Sequence, residues 1–115
     1  MAVKIYHNPG CSKSRQTLQL LHDHGIEPEI INYLTAPPST AELDRILKQL
    51  DRDPRTIMRR KEGVYRDLNL DDPTLGRAAL IRAMVENPIL IERPIVVTDC
   101  KAALGRPPED VLAIL

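Results

Sequence analysis

Residues Tyr6-His7-Asn8-Pro9-Gly10-Cys11-Ser12-Lys13-Ser14-Arg15 put a thiol where a short apolar strand stops and a helix begins. Val3, Ile5 and Tyr6 form the apolar lead-in, and Gln16 to His24 carries Leu18, Leu20 and Leu21 without a breaker until Gly25. Asn-Pro-Gly between them is turn chemistry. The sulfur of Cys11 is thereby placed at a helix N-terminus, where unpaired backbone N–H groups and the positive end of the dipole favour an anion. Such a thiol is expected to titrate below its free value of roughly 8.5, and the thiolate is the form that attacks. His7, four residues earlier, can add positive charge or relay a proton; Ser14, three residues later on the same side, can donate a hydrogen bond to the sulfur. Lys13 and Arg15 stand in the first turn, where the dipole disfavours cations by about 0.3–1 kcal/mol each. That conflict makes sense where an anion occupies the same place.

A lone cysteine is commonly an inert, buried hydrophobe. The strand-turn-helix context, His7, Ser14 and the nearby cations together favour a reactive role over that one. Cys11 and Cys100 are too few and too far apart for a disulfide framework, and Ser14 stands where a Cys-x-x-Cys pair would need its second thiol. A single-cysteine mechanism remains, with Cys100 more simply incidental than resolving.

The chain of 115 residues suffices for one aliphatic core, so residues 1–115 are expected to form a single domain. Sixteen cations balance sixteen anions, leaving no global field to hold nucleic acid or an anionic membrane. No apolar run is long enough to span a bilayer and no signal peptide is evident, so a cytoplasmic monomer is expected. No metal-ligand spacing and no Gly-rich phosphate loop occurs, and no bound cofactor is expected. Eleven of the sixteen cations are Arg, whose rigid fork matches tetrahedral oxyanions.

In chain order, Glu27 to Tyr33 reads as a second strand, parallel to the first through a right-handed crossover. Ser39 with Glu42 is a capping box opening a helix whose face is Leu43, Ile46, Leu47 and Leu50. Asp53-Pro54 starts a short helical piece, with Asp53 as cap, running into Arg59-Arg60-Lys61. Val64 to Leu70 reads as an irregular connection. Asp72-Pro73 repeats the start signal for a helix to Glu86, with Leu75, Ala79, Met84 and Val85 apolar, and Asn87-Pro88 stops it. Ile89 onward is an extended lead-in, and Pro94, expected in a cis bond after Arg93, opens a strand Ile95 to Val97. Asp99-Cys100 turns into a strand Lys101 to Leu104, an antiparallel hairpin. A last helix follows Gly105-Arg106-Pro107-Pro108-Glu109, with Val111, Leu112, Ile114 and Leu115 apolar.

The order βαβ, helical insertion, ββα is the thioredoxin-like (glutaredoxin-type) α/β topology with a mixed sheet. The motifs go further. Tyr-His-Asn-Pro-x-Cys-x-x-Ser-Arg at Tyr6 to Arg15, Arg59 in Ile-Met-Arg, the block Asn87 to Thr98 and Gly105 to Glu109 closely resemble the glutaredoxin-like arsenate reductase (ArsC-type) family over nearly the whole length. Ser12-Lys13 is closer to the arsenate-reductase-like branch. The resemblance implies Cys11 as the nucleophile towards arsenate, His7 as the group that keeps it ionised, and Arg59, Arg93 and Arg106 as the oxyanion clamp, with Arg60 a rival for Arg59. It also implies glutathione as co-substrate and glutaredoxin as partner. Two alternatives stand beside it: a glutathione-linked thiol transferase of the same fold that ignores arsenate, and a regulator that binds RNA polymerase.

Overall fold

β1 (Lys4–His7) is an inner strand of a four-stranded sheet, and its Ile5, Tyr6 and His7 are all buried. A computed structural model describes residues 2–115. The sheet order is β2-β1-β3-β4, with β2 (Glu29–Asn32), β3 (Ile95–Val97) and β4 (Ala102–Leu104). β1 pairs parallel with β2, placing Ile5 opposite Ile30, and antiparallel with β3, placing Tyr6 opposite Ile95. β3 and β4 form the expected antiparallel hairpin, Ile95 opposite Leu104. This is the thioredoxin-like arrangement. β2 is an edge strand two residues shorter at its start than the sequence suggested, and Ile30 on it is exposed.

The residues fall into two compact units. One runs to Ala36 and resumes at Arg93; the other is Pro37–Glu92. In the first, α1 (Ser12–Asp23) follows the turn after β1 and ends where Gly25, at φ 74°, donates its N–H to the His22 carbonyl. Its Leu21 packs with Val3, Ile5, Val96 and Val111, and Leu18, Leu20, Ile26, Ala103 and Ile114 close around them. Val111 belongs to Pro108–Ile114, which is a 3-10 helix and not the α-helix expected. The segment is short and opens on two prolines, and its bonds close three residues back, as from Asp110 to Pro107. The Arg93–Pro94 bond is cis, as expected; so is Arg106–Pro107.

In the second unit the capping box holds. Ser39 Oγ accepts from the Glu42 N–H at 3.1 Å and opens α2 (Thr40–Leu50), which buries Leu43, Ile46 and Leu47 and leaves Leu50 half-buried. α2 ends on Asp51 in the left-handed region, φ 55°. Asp53 does not cap with its side chain; its carbonyl accepts from the N–H and hydroxyl of Thr56, and Pro54–Ile57 is a single 3-10 turn.

Val64 to Leu70 is not irregular throughout, because α3 (Gly63–Asp67) forms there. Buried Tyr65 holds it, its hydroxyl donating to Asp71 at 2.6 Å, while Arg55 reaches the Leu70 and Asp72 carbonyls from fifteen and more residues away. Asp72 makes a local turn by accepting from both the N–H and hydroxyl of Thr74, so α4 (Arg77–Glu86) starts later than expected and buries Leu80, Ile81 and Met84. Leu75 and Val85 are half-buried and Ala79 is exposed. The stretch after Asn87 turns once as a 3-10 helix, Pro88–Leu90, before Ile91 bridges to Met58. Among the described residues no helix is long and apolar enough to cross a membrane.

Leu21 belongs to the core of the first unit and is fully buried. Leu21→Ala is expected to destabilise the protein by about 2–5 kcal/mol, read from urea unfolding followed by circular dichroism.

Candidate active site

The register brings three remote stretches to one end of the sheet. β1 runs antiparallel to β3, so the turn that follows His7 lies at the end where β3 begins, just after Arg93-Pro94. β4 runs antiparallel to β3 in turn, so Gly105-Arg106 leaves the sheet at that same end.

The turn is built by Asn8. Its carbonyl accepts from the Cys11 N–H at 3.0 Å, its side-chain oxygen accepts from the Gly10 N–H at 2.9 Å, and its own N–H donates to Ser14 Oγ at 3.0 Å. Cys11 then occupies the N-cap of α1 in an extended conformation, its carbonyl accepting from the Arg15 N–H. With no side-chain oxygen at the N-cap, the first-turn N–H groups are left for the sulfur.

Half-buried Cys11 is subject to opposing effects. Burial pushes its pKa up; against that stand the Ser14 N–H, a hydrogen bond from the Arg93 guanidinium, the Lys13 N–H and the Arg93 charge, and the net result lies below the ordinary thiol value. Arg106 adds a contact from Nη2 to the sulfur at 3.7 Å, and its Nε donates to the Arg93 carbonyl at 2.8 Å. Two guanidinium groups therefore converge on one sulfur.

Ser14 and His7 behave differently from the sequence reading. Ser14 is fully buried and its hydroxyl pairs with His7 Nδ1 at 2.5 Å, so it is the backbone N–H of Ser14 that serves the sulfur and not the hydroxyl. The hydroxyl already accepts from the Asn8 N–H, so its own proton finds a partner only if Nδ1 accepts, which places the imidazole proton on Nε2. Burial first, and the Arg15 charge second, lower the His7 pKa, so His7 stands neutral at neutral pH and supplies no positive charge. Arg15 itself is engaged, Nη1 donating to the Pro9 carbonyl at 2.8 Å.

Arg59 lies in the second unit, between Glu62 at 3.2 Å and Glu92 at 3.1 Å. Burial alone lowers its pKa, but the two carboxylates outweigh this and raise it. Its neighbour Arg60 is exposed and reaches the Arg55 carbonyl at 3.5 Å. Cys100 is exposed in the β3–β4 turn.

A cysteine at a helix N-cap, two arginines on its sulfur and a thioredoxin-like sheet invite comparison with known proteins. The ArsC family model matches residues 6–114. The chain belongs to the ArsC family. The arsenate reductase of Haemophilus influenzae is 53% identical over the full length of both chains, and the uncharacterized protein YfgD of Escherichia coli K12 is 56% identical over 98% of this chain and 96% of its own. The arsenate reductase structure from Vibrio cholerae superposes with a TM-score of 0.96 at 55% identity, covering 100% of this chain and 98% of that one.

In this ArsC-family chain three residues escaped the reading of the sequence. Asn8 was visible only as a turn former, although an Asx side chain bonding two residues on is a local signal. Thr17 and Gly105 meet across a separation that no local pattern carries.

Two measurements test the electrostatics. In a Cys100→Ser background, the pH at which Cys11 alkylation by iodoacetamide is half-maximal should lie below that of a free thiol, and Arg93→Ala should move it upward. An unmoved midpoint would show that Arg93 does not stabilise the thiolate. The second concerns His7, whose folded pKa lies below the ordinary 6.5, so the unfolded chain binds the proton more readily. The stability this group allows is complete above about pH 6.5 and is lost as pH falls through its lower folded value. His7→Asn keeps an acceptor near Nδ1 without the titration, so urea unfolding at pH 7.5 and 5.5 should show a smaller difference than in the parent protein.

Proposed function

We propose that the protein is an oxidoreductase that reduces arsenate to arsenite, with Cys11 as the nucleophile. The observation that carries this reading is the convergence of Arg93 and Arg106 on the Cys11 sulfur. Two positive forks beside a thiolate suit a tetrahedral oxyanion, drawing charge from its central atom as sulfur attacks. Relatives named arsenate reductase at 53% and 47% identity support the substrate.

In the proposed cycle the Cys11 thiolate bonds to arsenic and one oxygen leaves as water after protonation. A glutathione thiolate then attacks the Cys11 sulfur, the sulfur–arsenic bond breaks, and its electron pair stays on arsenic, which leaves as arsenite. The two electrons come from the Cys11 and glutathione sulfurs, which remain as a mixed disulfide. Glutaredoxin takes the glutathione and restores the Cys11 thiol. An external thiol is needed because Ser14 occupies the position of a second cysteine and the other thiol is Cys100, in the far turn of the hairpin.

His7 acts in this scheme as a neutral imidazole that fixes Ser14, and so the N–H beneath the sulfur. We propose Arg59 as a further oxyanion ligand on the strength of the family resemblance alone.

Arsenate-dependent NADPH oxidation, coupled through glutathione, glutaredoxin and glutathione reductase, tests the whole scheme. Activity should require both thiol partners, vanish in Cys11→Ser, and show a KM for arsenate at least about tenfold higher in Arg106→Ala. Full activity of Cys11→Ser would end the proposal. Reduction of a mixed glutathione disulfide with no response to arsenate would replace it by a thiol transferase.

A further inference from the structure

Gly105 is buried where no side chain has room. A Cβ on its backbone would lie 2.5 Å from Thr17 Oγ1, 2.8 Å from Pro94 Cγ and 3.2 Å from Thr17 Cγ2, against about 3.5–4.0 Å for relaxed carbon contacts. Backbone conformation does not call for glycine here. Its φ is not among the positive ones, and the Arg106 N–H donating to the Leu104 carbonyl at 2.9 Å closes a tight turn open to other residues. The requirement is one of space.

Neither neighbour yields easily. Thr17 is fully buried and its hydroxyl donates to the Lys13 carbonyl at 2.8 Å. Pro94 is buried, and its carbonyl accepts from the Gly105 N–H at 2.9 Å. Each of the three segments meeting here leads to the sulfur within a few residues. Thr17 belongs to α1, whose Lys13 and Ser14 N–H groups lower the Cys11 pKa; Pro94 follows Arg93; Gly105 precedes Arg106. Arg106 is in turn tied to the Arg93 carbonyl. Widening this contact by an ångström moves both guanidinium groups against a sulfur that one of them reaches only at 3.7 Å.

We propose that Gly105 is a positioning residue: its missing side chain lets the Arg106 turn seat against Thr17 and Pro94, which sets the distance of both arginines from Cys11. It acts through Arg93 and Arg106 and touches no substrate. The inference rests on reading Cys11 and these arginines as an oxyanion site.

The test compares wild type, Gly105→Ala, Thr17→Ala and Thr17→Ala/Gly105→Ala, all with Cys100→Ser. It measures the pH midpoint of Cys11 alkylation and the affinity for inorganic phosphate by titration calorimetry, phosphate being a tetrahedral oxyanion that thiols do not reduce. Gly105→Ala is expected to raise the midpoint by about one pH unit and weaken phosphate binding about tenfold. The double variant removes the two contacts to Thr17 and keeps the one to Pro94 Cγ at 2.8 Å, so it should bring both values part of the way back from those of Gly105→Ala to those of Thr17→Ala. Wild-type values in Gly105→Ala would overturn the inference. So would a double variant that restores nothing, whether folded or not, and this second comparison decides the matter if Gly105→Ala fails to fold. If wild type itself shows neither a lowered midpoint nor phosphate binding, the oxyanion-site reading falls and takes the inference with it.

Discussion

The surroundings of Cys11 favour negative charge on a sulfur held half out of water. Burial opposes the charge, and the structure answers with donors whose own charge or direction cannot be titrated away: first-turn N–H groups and guanidinium groups. Charge-assisted hydrogen bonds are roughly twice as strong as neutral ones. Arg93 and two helix N–H groups therefore outweigh the desolvation. A histidine cation could not serve as steadily, because here burial and Arg15 discharge His7 in the range where the thiolate must persist. The imidazole does something else: through the Ser14 hydroxyl and the Asn8 N–H it locks the turn whose geometry aims the Ser14 N–H.

This arrangement places demands on the sheet. A helix N-cap after β1 supplies the sulfur, but the arginines come from residues 93 and 106, and only an antiparallel β1–β3–β4 register sends both to the same end. The parallel β1–β2 pair on the other side of β1 carries α1 across the sheet, where Leu21, Ile5, Val96 and Val111 fix its axis. Packing in the core and geometry at the sulfur are thus one problem, since a helix anchored at Leu21 and Thr17 has little freedom left at Cys11. Thr17 sits between them, four residues from a core that admits no movement and six from the sulfur.

Local grammar made much of this legible in the sequence. The thiol at a helix start, the Ser39–Glu42 cap, the bounds of β3, the β3–β4 hairpin and the order of elements all depend on neighbours within a turn or on hydrophobic period. What could not be read locally came from distance. α3 exists because Tyr65 is buried and Arg55 ties down carbonyls fifteen and seventeen residues away, so its own weak pattern is overridden. Asp72 looked like a helix cap, yet Thr74 gave its carboxylate a nearer donor pair and α4 began at Arg77. Ser14 lay on the correct helix face for the sulfur, but spacing cannot tell which atom of a residue will serve it, and the backbone N–H took the part assigned to the hydroxyl. Gly105 stood in a family-like motif, but its close approach to Thr17 carried no local signal, because nothing in its neighbours announces that Thr17 lies within a Cβ radius.

On the proposed reading, the site cannot choose arsenate by affinity. Guanidinium forks recognise charge and tetrahedral geometry, which phosphate shares, so they give a small difference in binding free energy between the two. Discrimination must then fall on the step after binding, where thiolate attack on arsenic leads through a sulfur–arsenic bond to a two-electron reduction that phosphorus does not undergo with thiols. A consequence follows for the arginines. Gripping the oxyanion harder would raise the occupancy of phosphate as much as that of arsenate, so tightness gains nothing against the competitor. The useful work of Arg93 and Arg106 is on the sulfur and on charge that builds up as it attacks. A geometry that places both within reach of Cys11 itself, as this one does, is what that requirement calls for.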